Sequence, residues 1–191
     1  QLVHVKAPFE HEILGKTRDD AAGEAFDKIG KVFGLEYPAG PTMDKLSRTG
    51  NPKFHKFPQA LLREGLDFSF SGLKTSALYF FQDQEEGFIE ENLNDLCASV
   101  SEAITEVLVK KLKRAVEQTG VKTIALAGGV SANSMLRAKT EKMAEKMGLS
   151  LHIPKITYCT DNAAMIAAAA ARIRPGESDP WHLTANPNLA L

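Results

Sequence analysis

The first residues with chemistry in them are two glycines at the end of an apolar run. In "LAGGVSANSMLR", residues 126–137, the run TIALA stops at Gly128 and Gly129, and a helix-compatible pattern resumes within a few positions. Glycine lets backbone N–H groups approach an anion closely, and a helix N-terminus adds positive potential. The stretch is therefore a candidate phosphate cradle, with Ser131 and Asn133 at its mouth. A plain left-handed turn with Asn133 as helix cap accounts for the same residues equally well. Neither G-x-x-x-x-G-K-[ST] nor G-x-G-x-x-G is present, which excludes a P-loop and a dinucleotide fingerprint.

Other side chains offer weaker signals. Asp161, in "TYCTDNAAM", stands at a second expected helix start, where a lone carboxylate is most simply a cap. A metal site would need about three side-chain ligands, and no H-x-x-x-H or H-x-x-E-H pair joins the five histidines. In "DDAAGEAFDK", Asp20, Glu24 and Asp27 fall at spacings of four and three, so they share one helix surface and repel. A cation, a ribose diol, or Lys28 and Lys31 would offset that repulsion; a solvated acidic face is the simpler reading. Ser71 and Lys74, in "FSFSGLKT", have Ser-x-x-Lys spacing without the partner motifs of an acyl enzyme. The run KKLKR, residues 110–114, offers phosphate contacts together with Lys45, Arg48, Lys53 and Lys56, although such runs are usually solvated helix ends.

These residues need elements to hold them. "QLVHVKA" and "HEILGK" read as two short strands, and "TRDDAAGEAFDKIGKVFG" as a helix with Thr17 as N-cap and Gly34 just past its end. "YPAGP" reads as a turn from which Pro41 opens the next helix. Leu66, Phe68 and Phe70 alternate like a strand before a helix beginning near Gly72. The clearest helix spans 93–118 and stops at Gly120. After it come the strand TIALA, the glycine loop, a helix to Met147 closed by Gly148, and the strand "LSLHIP". An alanine-rich helix follows beside Asp161, capped by Thr160 and suited to close packing, and then an irregular tail over 174–191. Strands alternating with helices indicate an α/β fold. The helix-rich block at about 41–118 reads as an insertion or subdomain.

The 191-residue chain, 43% apolar and 25% charged with a formal net charge of −1, has an ordinary globular composition. It carries no global pull toward nucleic acid or membrane, so any such site must be a local patch. Two widely separated cysteines, Cys97 and Cys159, argue against a disulfide framework or a zinc knuckle. The longest apolar run, "AAMIAAAAA", is too short to span a bilayer, and a cytoplasmic setting is expected.

Taken together, "DDAAGEAFDKIGKVFGLEYPAGP", "LDFSFSGLKT", "AGGVSANSMLR" and "CTDNAAM" resemble, in order and spacing, the TsaD/Gcp family of tRNA N6-adenosine threonylcarbamoyltransferases. The resemblance runs from Gln1 to about Arg172. It implies the actin-like, RNase H-like fold of the Hsp70–sugar kinase superfamily. Residues 1–191 would then be the C-terminal lobe with its helix-rich insertion, following an N-terminal lobe that carries an H-x-x-x-H metal pair. On that expectation the chain alone is inactive.

Carried onto this sequence, the resemblance implies substrate contacts at Asp27, Gly40, Asp44 and Asn133, loop contacts at Gly128 and Gly129, and a metal ligand at Asp161. Ala39 stands where the family pattern has a glycine. The implied reaction transfers a threonylcarbamoyl group from threonylcarbamoyl-AMP to N6 of the adenosine beside a tRNA anticodon. It involves one divalent metal per subunit, iron or zinc, and in bacteria a TsaB-like paralogous partner and a TsaE-like ATPase. The rival readings are an ATPase or sugar-kinase-like phosphotransferase, a non-catalytic nucleotide-binding module, and a metalloprotease. The absence of an H-E-x-x-H helix counts against the last of these.

Overall fold

The computed structural model describes residues 1–8, 10–171 and 184. It begins with an antiparallel hairpin, β1 (Leu2–Ala7) and β2 (Glu10–Gly15), where sequence alternation places both strands. Helices α1 (Ala22–Val32) and α2 (Ala39–Ser47) follow. An irregular stretch then leads to α3 (Ser71–Gln82), the short α4 (Phe88–Glu91) and the 27-residue α5 (Leu93–Thr119). The chain continues through β3 (Thr123–Ala125), a 3-10 turn at Gly129–Ala132, α6 (Ser134–Met147), β4 (Ser150–His152), a second 3-10 turn at Ile156–Tyr158 and α7 (Ala163–Ala170). Strands β3 and β4 pair in parallel with α6 as their crossover, the arrangement that an α/β reading requires.

Helix α5 is the spine, about 40 Å long at 1.5 Å per residue. Its first half, Leu96 to Val107, packs with Ala25, Phe26, Ile29 and Phe33 of α1, Met43 of α2, Phe68, Phe70 and Leu73 in one apolar cluster. Its far end contributes Val116 to a smaller cluster with Ile124, Met143 and Ala144 under the parallel strands. The block 41–118 thus shares its core with α1. Helices α1 and α2 meet closely at Gly30, where an added Cβ would stand 2.3 Å from the Cβ of Ala39. Alanine is accommodated at 39 because its neighbour is glycine.

Several local expectations are corrected. Thr17 does not cap α1, which starts at Ala22 after Ala21; Thr17 instead forms an isolated parallel bridge with Phe68. That bridge is all the pairing the alternating Leu66–Phe70 stretch makes, because the buried rings of Phe68 and Phe70 satisfy the core without a longer strand. Pro41 lies in the first turn of α2 and does not open it, since the helix begins at Ala39 after Pro38. Thr160 does not cap α7: Asn162 does, its Oδ1 accepting from the Met165 N–H at 3.1 Å. Nor does α7 pack closely, for none of its residues is buried. Residues 172–183 and most of the tail expected to be irregular lie outside the described residues. Among the described residues, no helix is long and apolar enough to cross a membrane.

Candidate functional site

The glycine loop leaves β3 on an unusual backbone. Gly128 has φ +80 and ψ 170, a conformation that residues with a Cβ rarely adopt. The chain then tightens at once into the 3-10 turn, with Ser131 N–H donating to Gly128 O at 2.9 Å and Asn133 N–H to Val130 O at 3.0 Å. The N–H groups of Gly128 and Gly129 make no hydrogen bond within the described residues. Space around both glycines is open, since a Cβ built on either meets nothing within 4 Å. Two exposed, unpaired amides on an open loop fit an anionic ligand.

Asn133 performs the capping role that its position allows. It is 7% exposed, and its Oδ1 accepts from the Leu136 N–H at 2.9 Å. The next amide is held by a residue far away in sequence. Asp44 Oδ1 accepts from both Ser134 N–H and Ser134 Oγ at 2.7 Å, and Asp44 Oδ2 accepts from Arg48 Nη2 at 2.7 Å. A carboxylate at a helix N-terminus is stabilised by the helix dipole, so α2 and α6 are joined by a part-buried, charge-assisted bond. Sequence reading missed Ser134. The available signal was its place directly after a capping Asn, but its partner lies 90 residues away.

Asp27 does the equivalent work for α2. Its Oδ1 accepts from Ala39 N–H at 2.8 Å and Gly40 N–H at 3.2 Å, which caps the start of α2 on α1. Its Oδ2 has no partner among the described residues and stays free for a ligand. The glycine loop is seated on the same helix, because a Cβ on Gly23 of α1 would stand 3.3 Å from Val130 Cγ2. Asp27, Gly40, Asp44, Asn133, Gly128 and Gly129 therefore lie on one connected unit of α1, α2, the loop and α6. Asp20 precedes α1 and Asp27 turns to α2, so the three carboxylates do not share one helix surface as expected, and Asp20 and Glu24 need no outside cation. Lys28 Nζ bridges Asp20 and Glu24 at 2.7 Å each, and these partners raise the lysine pKa.

Asp161 stands apart. It is exposed just before the Asn162 cap, and no hydrogen bond ties it to the loop. Among the described residues, no three His, Cys, Asp or Glu side chains come together as a metal site. Asp161 offers a single carboxylate, fewer than the about three side-chain ligands of a protein-held metal site.

The remaining candidates have structural roles. Ser71 Oγ donates to Asp19 Oδ2 at 2.9 Å, and Asp19 also accepts from Phe70 N–H at 2.7 Å, so this carboxylate anchors the start of α3. The KKLKR run is not a free cationic patch. Lys111 is fully buried and donates to Leu61 O and Glu64 O at 2.7 Å each. Arg114 donates to Gly65 O at 2.6 Å and Leu62 O at 3.1 Å. Lys110 pairs with Glu106 and Lys113 with Glu117.

Architecture and site together define an α/β domain with an open glycine loop between a strand and a helix. The family model for TsaD, tRNA N6-adenosine threonylcarbamoyltransferase, matches residues 1–168. A tRNA N6-adenosine threonylcarbamoyltransferase of Salinibacter ruber is 50% identical, the match covering 100% of this chain and 58% of the relative. The protein of the same name from Chloroherpeton thalassium is 60% identical over 83% of this chain and 48% of its own length. That of Cytophaga hutchinsonii is 46% identical, covering 100% and 57% respectively. The chain belongs to the TsaD family. It spans about half the length of the curated relatives it matches.

Proposed function

We propose that this chain supplies the adenylate-binding half of a tRNA N6-adenosine threonylcarbamoyltransferase, as the C-terminal lobe of an actin-like fold. The observation that carries this reading is the pair of open, unpaired amides at Gly128 and Gly129, set between a strand and the capped helix α6. Family membership favours it over the phosphotransferase, protease and simple binding-module readings.

The substrate is threonylcarbamoyl-AMP and the acceptor is the adenosine beside a tRNA anticodon. The N6 amine attacks the carbamoyl carbon, a new C–N bond forms, the bond from that carbon to the phosphate oxygen breaks, and AMP leaves with the electron pair. The attacking nitrogen gives up a proton to solvent. Since AMP is a good leaving group, the protein's main contribution is to position the reactants and stabilise charge. The Gly128 and Gly129 amides face the phosphate. Asp27 Oδ2 faces the ribose, with Gly40 and the Asn133 amide at the rim. Asp44 acts through Ser134 by holding the helix behind the loop.

Asp161 would serve as one ligand to a divalent metal, iron or zinc, alongside ligands beyond the described residues. Bound there, the metal supplies Lewis acidity toward phosphate or carbonyl oxygen. A TsaB-like paralogue and a TsaE-like ATPase are the expected partners, in the cytoplasm.

Gly129→Ala tests the reading cleanly. Its φ is not positive and the added methyl meets open space, so the fold should be unaffected while the ligand's approach is blocked. Calorimetry in the longest form the gene encodes should show at least about a tenfold loss of affinity for a non-hydrolysable threonylcarbamoyl-adenylate analogue, the scale of a lost charge-assisted contact. Unchanged affinity would overturn the cradle.

A further inference from the structure

Arg137 lies in the first turn of α6, and its guanidinium reaches three acceptors on two separate segments. Its Nε donates to Ser131 O at 2.6 Å, in the turn that follows the glycine loop. Its Nη2 donates to Pro154 O at 2.8 Å, beyond β4, and to Cys159 Sγ at 3.3 Å. Cys159 is 1% exposed and stands two residues before Asp161. One planar fork therefore spans the glycine loop and the segment that presents Asp161. Lysine, with a single ammonium, cannot reproduce that span. Ser131 is 2% exposed and its hydroxyl has no partner among the described residues, so the loop is held here through its carbonyl.

We propose that Arg137 is a positioning residue that clamps the glycine loop to the 154–161 segment, so that a ligand seated on the Gly128 and Gly129 amides also sets where Asp161 stands. The ligand half of this inference rests on the adenylate reading above; the clamp itself rests only on the contacts of Arg137. Among the described residues, no other hydrogen bond joins 128–133 to 154–161. Asp44 and Asn133 hold the start of α6, and the described hydrogen bonds of Asn162 stay within its own turn.

Cys159 is a built-in reporter, because a thiol this buried is alkylated only when its segment opens. The experiment measures alkylation of Cys159 by peptide mass spectrometry, in wild type and Arg137→Lys, with and without the non-hydrolysable threonylcarbamoyl-adenylate analogue. Wild type should be labelled about tenfold more slowly with the analogue bound. Arg137→Lys should be labelled about tenfold faster than wild type, the scale of a lost charged hydrogen bond, and the analogue should no longer change its rate. A variant that served structure alone would leave the ligand's effect on Cys159 in place, and that result would overturn the linkage.

Hydrogen exchange without ligand examines the clamp separately. Arg137→Lys should loosen residues 128–133 and 156–161 together, and loosening of only one segment would overturn the clamp. Should the variant fail to fold, wild-type exchange with the analogue decides: protection of both segments supports the inference, and protection of the loop alone overturns it. Failure of wild type to bind the analogue at all would instead overturn the adenylate reading, with the ligand-free exchange still deciding the clamp.

Discussion

Asp44 offers the sharpest test of how this site is built, because the family resemblance and the geometry assign it different work. The resemblance implies a substrate contact, whereas both carboxylate oxygens are engaged inside the chain by Ser134 and Arg48. Asp44→Ala would strand the Ser134 amide at the start of α6. Loss of a helix cap costs about 0.5–2 kcal/mol, and hydrogen bonds to a buried charge about 1.5–3 kcal/mol. The Arg48 side chain is 60% exposed, so that pair adds only a few tenths. The sum, less the relief of no longer burying a carboxylate, is about 2–4 kcal/mol.

Asp44→Asn keeps one acceptor for Ser134 and should cost about 1 kcal/mol. Urea unfolding of both variants, paired with calorimetry of the adenylate analogue, reads the outcome. Stability and affinity should fall together, and Ser134→Ala should cost less in the Asp44→Ala background than in wild type, because the hydroxyl bond it removes is already gone there. If Asp44→Ala abolished analogue binding with the unfolding midpoint unmoved, Asp44 would be a direct ligand contact and the bond to Ser134 incidental.

Three further outcomes are expected. Lys111→Met should destabilise the protein by about 1–3 kcal/mol for the Glu64 carbonyl it strands, Leu61 O keeping the Glu64 N–H as its donor, and should expose the 61–65 loop to protease; unchanged urea unfolding would refute the anchoring role. Burial opposes ionisation of Asp19, but hydrogen bonds from Ser69, Phe70 and Ser71 outweigh it and hold the carboxyl below the usual aspartate range. A depressed folded-state pKa gives stability that is present above the unfolded value, about 4, and is lost as pH falls through the folded one. Acid unfolding of Asp19→Asn should therefore lose part of that pH dependence, and an unchanged acid limb would refute the role. The 191-residue chain should retain no stoichiometric iron or zinc after dialysis, as read by elemental analysis; tight metal in it would show that the ligand set has been misplaced.

Much of this protein follows from local sequence. The hairpin strands, the long α5 ending at a left-handed Gly120, and α6 ending at a left-handed Gly148 follow from periodicity and from residues whose backbone preferences leave few choices. The family is legible for a related reason: four short motifs in fixed order constrain the chain far more tightly than composition does, and the match over residues 1–168 agrees. Asn133 caps α6, one of the two readings its position allows, and the glycine amides beside it have no partner among the described residues.

Tertiary structure decided the rest, wherever a side chain's partner lies far along the chain. Thr17 has the composition of a cap but pairs with Phe68, while Asp19 goes to the start of α3, some 50 residues on. The KKLKR run looks like a solvated helix end, yet the fold wraps the 61–65 loop over it and buries Lys111 against backbone carbonyls. Asp27 and Asp44 were visible as candidate ligands, but Asp27 caps α2 only because α1 and α2 approach closely where Gly30 faces Ala39, and Asp44 reaches Ser134 only because the fold sets α2 beside the start of α6. A charged group takes whichever donor the fold brings within about 3 Å. Local sequence names the group, and only packing chooses the donor.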